Sequence, residues 1–373
     1  MLGRPASIGV YFIILMIQIK SIFDVEMTLW EEIGLSLVSI AIIAGLNIRG
    51  VIWGGRVQGL TTLLKCLTLI LLAALPFVLT GRGEVGFDSA NLSSTLDVEN
   101  DPAWIARFAA ALLAVSWAYN GWHAVCPIAE EIRNPSRNIL IAIFGGIAVI
   151  CAVYGLLNLS YHGSMTLTEI SDASFRLPQV MIEKLLTPVN ESLANFASLA
   201  VSVSLALSLI GGINVNLMNG PRVAFAAGRD EPALKKLGMT SDRFHTPSFS
   251  IVFQAIMSVL TLVSVACYLE IIGQPESRHI FFTLTDYVVY SANLFYMLTV
   301  GAVIILRVKA ADRERPFKTP LYPLLPIAYL LFNGWFLYAV FIKQPTHAAV
   351  SIILSLLAWP LWCGLQPRAY WKR

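Results

Sequence analysis

Runs of about twenty apolar residues recur from one end of this sequence to the other, and nothing else restricts the fold as strongly. A helix needs roughly 20 residues to cross the hydrocarbon core of a bilayer, about 30 Å thick. Ten runs stand out as candidate crossings: 6–19, 32–48, 59–79, 104–129, 139–161, 194–220, 249–272, 280–306, 321–341 and 347–366. With 57% hydrophobic and 13% charged residues, the chain has more apolar side chains than one soluble core could cover. The pattern therefore predicts an all-α polytopic membrane protein. The first run is short: Ala6 to Ile19 supplies about 14 residues before Lys20, fewer than a crossing requires, and reads as a helix without its beginning. Arg4 precedes it, but no small-residue cleavage site follows Ile19, which argues against a secretory signal.

Basic residues sort by alternate loops. One set (Arg49 and Arg56, Arg133 and Arg137, Arg222 to Arg243, Arg307 to Lys318, Arg368 to Arg373) holds 17 of them; the other (Lys20, Arg82, Arg176, Lys184, Arg278, Lys343) holds 6. The positive-inside rule puts the first set, and with it both termini, on the cytoplasmic side of what is expected to be the cytoplasmic membrane. The opposite loops Glu84–Asp101 and Glu169–Glu191 are longer and more acidic, without the pattern of a folded domain. Trp30, Trp53, Trp104, Tyr161, Tyr322, Trp362, Tyr370 and Trp371 lie near run ends, as interfacial anchors do.

The five cysteines lie in apolar runs without CxxC spacing, so neither a disulfide framework nor a zinc site is indicated. The five histidines are scattered, and HExxH, GxSxG and P-loop motifs do not occur. No enzyme site, cofactor or nucleic-acid partner is read here, and ATP-driven transport within the chain is disfavoured.

Four features ask for more than a membrane anchor. In the fourth run the cluster Tyr119-Asn120-Gly121-Trp122-His123 falls about 14 residues in. Irregular backbone at membrane depth is tolerated only where protein or a water-filled cavity surrounds it. The cluster predicts two half-helices, Trp104–Trp117 and Trp122–Ile132, whose freed amides face a ligand; a continuous helix with polar bonds to its neighbours is the alternative. Lys65 sits about seven residues into the third run, an expensive place for an ammonium unless it functions there or reaches back to the headgroups. Ser202 to Asn216 mixes small and polar residues, suited to close helix packing or to ligand coordination. Asp286, Tyr287, Tyr290, Ser291 and Asn293 polarise the eighth run, with Asp286 near its outer end, where water reaches it.

The segment Phe108 to His123, followed by Ala129-Glu-Glu-Ile-Arg-Asn-Pro-Ser-Arg-Asn-Ile139, resembles the sixth helix and following inner loop of the amino acid–polyamine–organocation superfamily, in its L-type amino acid transporter branch. Two further blocks in the same order support the resemblance: Asn219 to Asp230 with His245-Thr-Pro247, and Leu306 to Lys309 with Arg315 to Pro323. The resemblance implies two inverted five-helix repeats plus two further helices, with substrate held between unwound segments of helices one and six. Trp117, Ala118, Tyr119, Asn120, Gly121 and Trp122 match the unwound part of helix six. There backbone groups bind the substrate amino group, Trp117 gates the side chain, and Asn120 and His123 shape the pocket. Lys65 matches a fifth-helix lysine that stands in for sodium, and Ser204 and Ser208 fall nearby on the eighth helix.

The match also implies twelve helices, whereas Arg4-Pro5-Ala6-Ser7 resembles the middle of helix three. Helices one and two are thus expected to be missing, through a late-assigned start or a true truncation. The chain is expected to form one permease domain, with residues 1–80 as helices three to five, 104–306 as helices six to ten and 321–366 as helices eleven and twelve. The expected activity is secondary transport of amino acids or related amines by alternating access, sodium-independent exchange or proton-coupled. Its partners are the substrate and the lipid bilayer, no protein partner being specified. The rival reading is a non-transporting remnant that acts as a binding or partner subunit.

Overall fold

The computed structural model of the chain describes residues 3–49, 51–80, 86–93, 104–230, 234–274, 276–313, 315 and 317–365. They form α1 (Gly3–Phe23), α2 (Leu29–Arg49), α3 (Val51–Leu79), α4 (Trp104–Ala118), α5 (Pro135–Ser164), α6 (Leu167–Ala173), α7 (Leu177–Leu186), α8 (Glu191–Asp230), α9 (Ser248–Ile271), α10 (Ser277–Lys309), α11 (Leu324–Lys343) and α12 (Pro345–Leu365). Short 3-10 segments cover Ser89–Ser93, Trp122–Glu131 and Ser174–Arg176. Nine of the ten predicted runs fall on single helices, and the fourth, 104–129, is divided between α4 and the 3-10 segment Trp122–Glu131. Eight helices among the described residues are long and apolar enough to cross a membrane, and α12 contains a shorter apolar stretch, Pro345–Leu357. The fold is an all-α polytopic one, as expected.

Most of the predicted loop Glu84–Asp101, the Arg82 position and the terminal residues Arg368, Tyr370, Trp371, Lys372 and Arg373 lie outside the described residues, as do the side chains of Trp53, Arg56 and Trp362. Trp30 and Trp104 are exposed near helix starts, where interfacial anchors belong.

The short first crossing is corrected. α1 has 21 residues, enough to span. It accepts Pro5 because the first turn needs no backbone donor there. It also runs on through Lys20, whose ammonium lies 2.7 Å from Glu32 on α2. Ser277, at the start of α10, donates to the other oxygen of that carboxylate. Three helix ends are thereby tied to one glutamate that is 1% exposed.

The loop Glu169–Glu191, which has no folded-domain pattern, carries two short helices, α6 and α7. Thr166 and Glu169 form a capping box at the start of α6. Lys184 on α7 donates to Glu169 at 2.7 Å and holds that carboxyl below its ordinary pKa. α7 then seats Met181, Ile182, Leu185 and Leu186 in a cluster with Leu72, Leu79, Leu157, Met165 and Ala194. Ten residues at helical spacing made this invisible to a search for twenty-residue runs.

α1 is the central helix. It packs on α8, α9 and α10, and its Ile8, Val10, Phe12 and Ile13 are fully buried. In lipid no hydrophobic gain draws helices together, so close packing and interhelical hydrogen bonds have to. Gln179 on α7 donates to Gln18 on α1 at 2.9 Å and to Ser202 on α8 at 3.0 Å. Asn47 on α2 donates to Asn214 on α8 at 2.9 Å. Asp286, expected to be wetted, is instead 5% exposed, because His347 on α12 pairs with it at 2.8 Å.

Removing Lys20 alone strands a buried carboxylate, whereas removing both charges does not. Lys20→Met is expected to lower the thermal midpoint in detergent by several degrees, and Lys20→Met with Glu32→Gln to recover most of it. Equal midpoints for the two variants would show that the pair does not hold the helix ends.

Candidate functional site

The fourth crossing is broken. α4 stops at Ala118 after 15 residues, about 22 Å of helix, too short to cross the about 30 Å core alone. Tyr119 and Asn120 still bond back into α4, to Val115 and Trp117 at 3.0 Å. Gly121 then turns the chain with φ 117°, a conformation that costs a side-chain-bearing residue about 1–3 kcal/mol. The first bond of the next segment runs from Ala124 N–H to Gly121 O at 2.8 Å. That segment, Trp122–Glu131, is a 3-10 helix of 10 residues, not the α-helical half the sequence suggested. Such length is uncommon for this geometry. Nothing lies within 4 Å of a Cβ placed on Gly121, so the turn borders open space.

Neighbouring helices support the break. Tyr154 on α5 donates to Ala118 O at 3.4 Å and meets the Tyr119 ring edge-on at 5.4 Å. Trp117 packs into the apolar groups around α1 and α10, with its ring 6.0 Å from that of Tyr11. Beyond the turn, Tyr296 on α10 donates to Asn120 Oδ1 at 3.1 Å and lies 2.9 Å from His123 Nδ1. Its ring also stacks obliquely on Trp122 at 5.3 Å. On the far side of His123, the Arg4 guanidinium lies 3.1 Å from Nε2 and donates to Asn216 on α8 at 3.2 Å. The structure therefore brings together Trp117, Ala118, Tyr119, Asn120, Gly121 and His123, with Tyr11, Tyr154, Tyr296, Arg4 and Asn216 around them.

The second group lies along the seam of α3 and α8. Gly211 approaches Thr61 so closely that a Cβ would sit 2.5 Å from the hydroxyl oxygen, and Thr68 shares a hydrogen bond with Ser204 at 2.5 Å. These two contacts set an antiparallel register in which Lys65 lies level with Leu207 and Ser208. Lys65 is exposed on the surface of the chain, and no hydrogen bond or ion pair joins it to Ser204 or Ser208. The seam reaches the break through Tyr11, whose ring fills the space beside Gly212, 3.0 Å from a Cβ placed there.

Sequence reasoning missed Tyr296, an ordinary tyrosine in an apolar run, and Tyr11 for the same reason. Arg4 was read only as a charge before the first crossing. Its signal was available: an arginine inside a helix that must span lipid needs a partner.

The chain matches the model of the amino acid permease family over residues 3–362. Among curated proteins it is 26% identical, over 97% of its length, to the serine/threonine exchanger SteT of Bacillus subtilis, of which it covers 75%. It is 29% identical over 87% of its length to the human b(0,+)-type amino acid transporter 1 and covers 60% of that protein. To the human large neutral amino acids transporter small subunit 2 it is 30% identical over 88% of its length, covering 56% of it. It thus spans little more than half the length of the human relatives. With the family model matched along almost the whole of the chain, on a helical membrane fold with a broken fourth crossing, the chain belongs to the amino acid permease family.

Proposed function

We propose that this chain is a secondary transporter of amino acids or closely related amines, resident in the cytoplasmic membrane with both termini inside, and that it works by alternating access. The observation that carries the reading is the turn at Tyr119–Gly121, which puts irregular backbone and a polar cluster at membrane depth. Half-helix ends of this kind suit the charged groups of a zwitterion: the C-terminal end of α4 favours a cation and the N-terminal end of the next segment an anion. Trp117, Ala118, Tyr119, Asn120, Gly121 and His123 are the proposed substrate-binding residues, with Trp117 as the aromatic wall over the side chain. The family and the relatives are transporters, and the reading is accordingly of a carrier rather than an enzyme.

The same reading assigns Lys65, with Ser204 and Ser208, to coupling. The α3–α8 seam, linked to the break through Tyr11, supports it: movement at Trp117 reaches the level of Lys65 through packed side chains. Exchange is favoured over proton symport by the name of the Bacillus relative, and the lysine supports independence from sodium. The two-repeat organisation, with 1–80, 104–306 and 321–366 as its parts, belongs to the same proposal. A partner subunit without transport is the rival.

Proteoliposomes preloaded with unlabelled L-serine test this reading by their uptake of radiolabelled L-serine. Wild type is expected to exchange without sodium. Gly121→Leu, strained at positive φ but free of steric clash, is expected to lose at least about 80% of uptake while remaining folded in the membrane, given a backbone cost of about 1–3 kcal/mol at the binding turn. Lys65→Ala is expected to slow turnover with little change in apparent affinity. Folded wild-type protein that exchanges none of a panel of neutral, cationic and small amino acids would favour the partner-subunit reading, and full uptake by Gly121→Leu would remove the break from the site.

A further inference from the structure

Tyr296 is held by its ring, and its hydroxyl meets a group on either side of Gly121. The ring packs against Trp122 and His123, with centroids 5.3 and 5.6 Å away. Removal of the hydroxyl alone leaves those contacts in place. The hydroxyl itself lies 3.1 Å from Asn120 Oδ1 and 2.9 Å from His123 Nδ1.

The direction of these bonds is determined. A phenol has one proton to give, and an amide oxygen only accepts. The proton is therefore spent on Asn120, and the hydroxyl oxygen is left to accept from His123, which places the imidazole proton on Nδ1. The other side of the imidazole independently requires the same tautomer. Nε2 lies 3.1 Å from the Arg4 guanidinium, which donates and never accepts. The bonds thus run one way, from Arg4 to His123 to Tyr296 to Asn120.

The consequence falls on Asn120. The torsion at an asparagine amide is roughly two-fold, so a free side chain offers a ligand either its carbonyl oxygen or its NH2 group. With Oδ1 engaged by Tyr296, the NH2 group and its two donors are turned the other way. We propose that Tyr296 is a positioning residue that fixes the Asn120 amide with its donors toward the substrate side chain, and so gives the site a preference for side chains that carry a hydrogen-bond acceptor. This rests on the transport reading, in which Asn120 belongs to the binding turn beside Trp117, and adds to it a residue on α10 that acts through Asn120.

Two isosteric amino acids test the role. O-methyl-L-serine has an ether oxygen, which only accepts, where L-norvaline has a methylene. Each competes with radiolabelled L-serine for purified protein in lipid nanodiscs, and the ratio of the two inhibition constants cancels any change in the affinity of the probe. Wild type is expected to prefer O-methyl-L-serine. Tyr296→Phe keeps the ring and frees the amide to turn over, and gel filtration with thermal melting checks its fold. It is expected to reduce the preference about three- to tenfold, the worth of one neutral hydrogen bond. In an Asn120→Ala background, where no amide remains to be oriented, adding Tyr296→Phe is expected to leave the ratio within about twofold. Equal weakening of both ligands by Tyr296→Phe would give the hydroxyl an architectural role and overturn the inference. An unchanged ratio would overturn it too, as would a wild type without the preference or a ratio that still responded to Tyr296→Phe in the absence of Asn120. Those results, in protein that binds amino acids, fail this inference alone; wild type that bound no amino acid of the panel above would fail the transport reading and this inference with it.

Discussion

A backbone amide or carbonyl in hydrocarbon has to find a partner inside the protein. The rest of this structure depends on how that requirement is met at one place. Elsewhere among the described residues the crossings meet it by remaining helical. Between Ala118 and Trp122 the helix stops, and other parts of the fold are arranged to make this tolerable: Tyr154 caps Ala118, Tyr296 holds Asn120, and Trp117 is wedged against Tyr11. A break that three helices support is a built feature, and the polar groups it concentrates are the basis of the proposed recognition of a zwitterion.

The helices that hold the break are themselves positioned by polar ties between otherwise apolar surfaces. α1 is fixed at one end by the carboxylate of Glu32, through Lys20, and near the other by Arg4. Along its length it lies against α8, where Gly212 leaves room for Tyr11. Since hydrophobicity does not distinguish one helix face from another in lipid, these small residues and hydrogen bonds set the register. The route from Trp117 through Tyr11 to the α3–α8 seam is made of such contacts, and the proposed coupling of Lys65 to the break would run along it.

Much of this was legible in the sequence, for physical reasons. Crossing helices announce themselves through length and apolarity, and nine of the ten runs lie on single helices, the fourth being the broken one. The break was legible because Tyr-Asn-Gly is out of place at membrane depth. What stayed hidden depended on tertiary partners. The helical form of the segment after Gly121 is set by packing on α5, not by its own composition. α6 and α7 are too short for a hydropathy search and fold because Thr166, Glu169 and Lys184 meet in space. Asp286 read as wetted because nothing in the chain nearby announces His347, 61 residues away. Arg4 and Tyr296 are separated by most of the chain, and only the fold makes them neighbours of one histidine.

The central claim is that amino acids bind at the break. Hydrogen–deuterium exchange in nanodiscs, followed by mass spectrometry on peptides spanning residues 115–126 with and without a saturating amino acid, reads the relevant amides themselves. The account predicts slowed exchange from Tyr119 to Ala124 that rises with ligand concentration and is absent in Gly121→Leu. Unchanged exchange across this segment, in protein that demonstrably transports the same amino acid, would contradict it and place the binding site elsewhere.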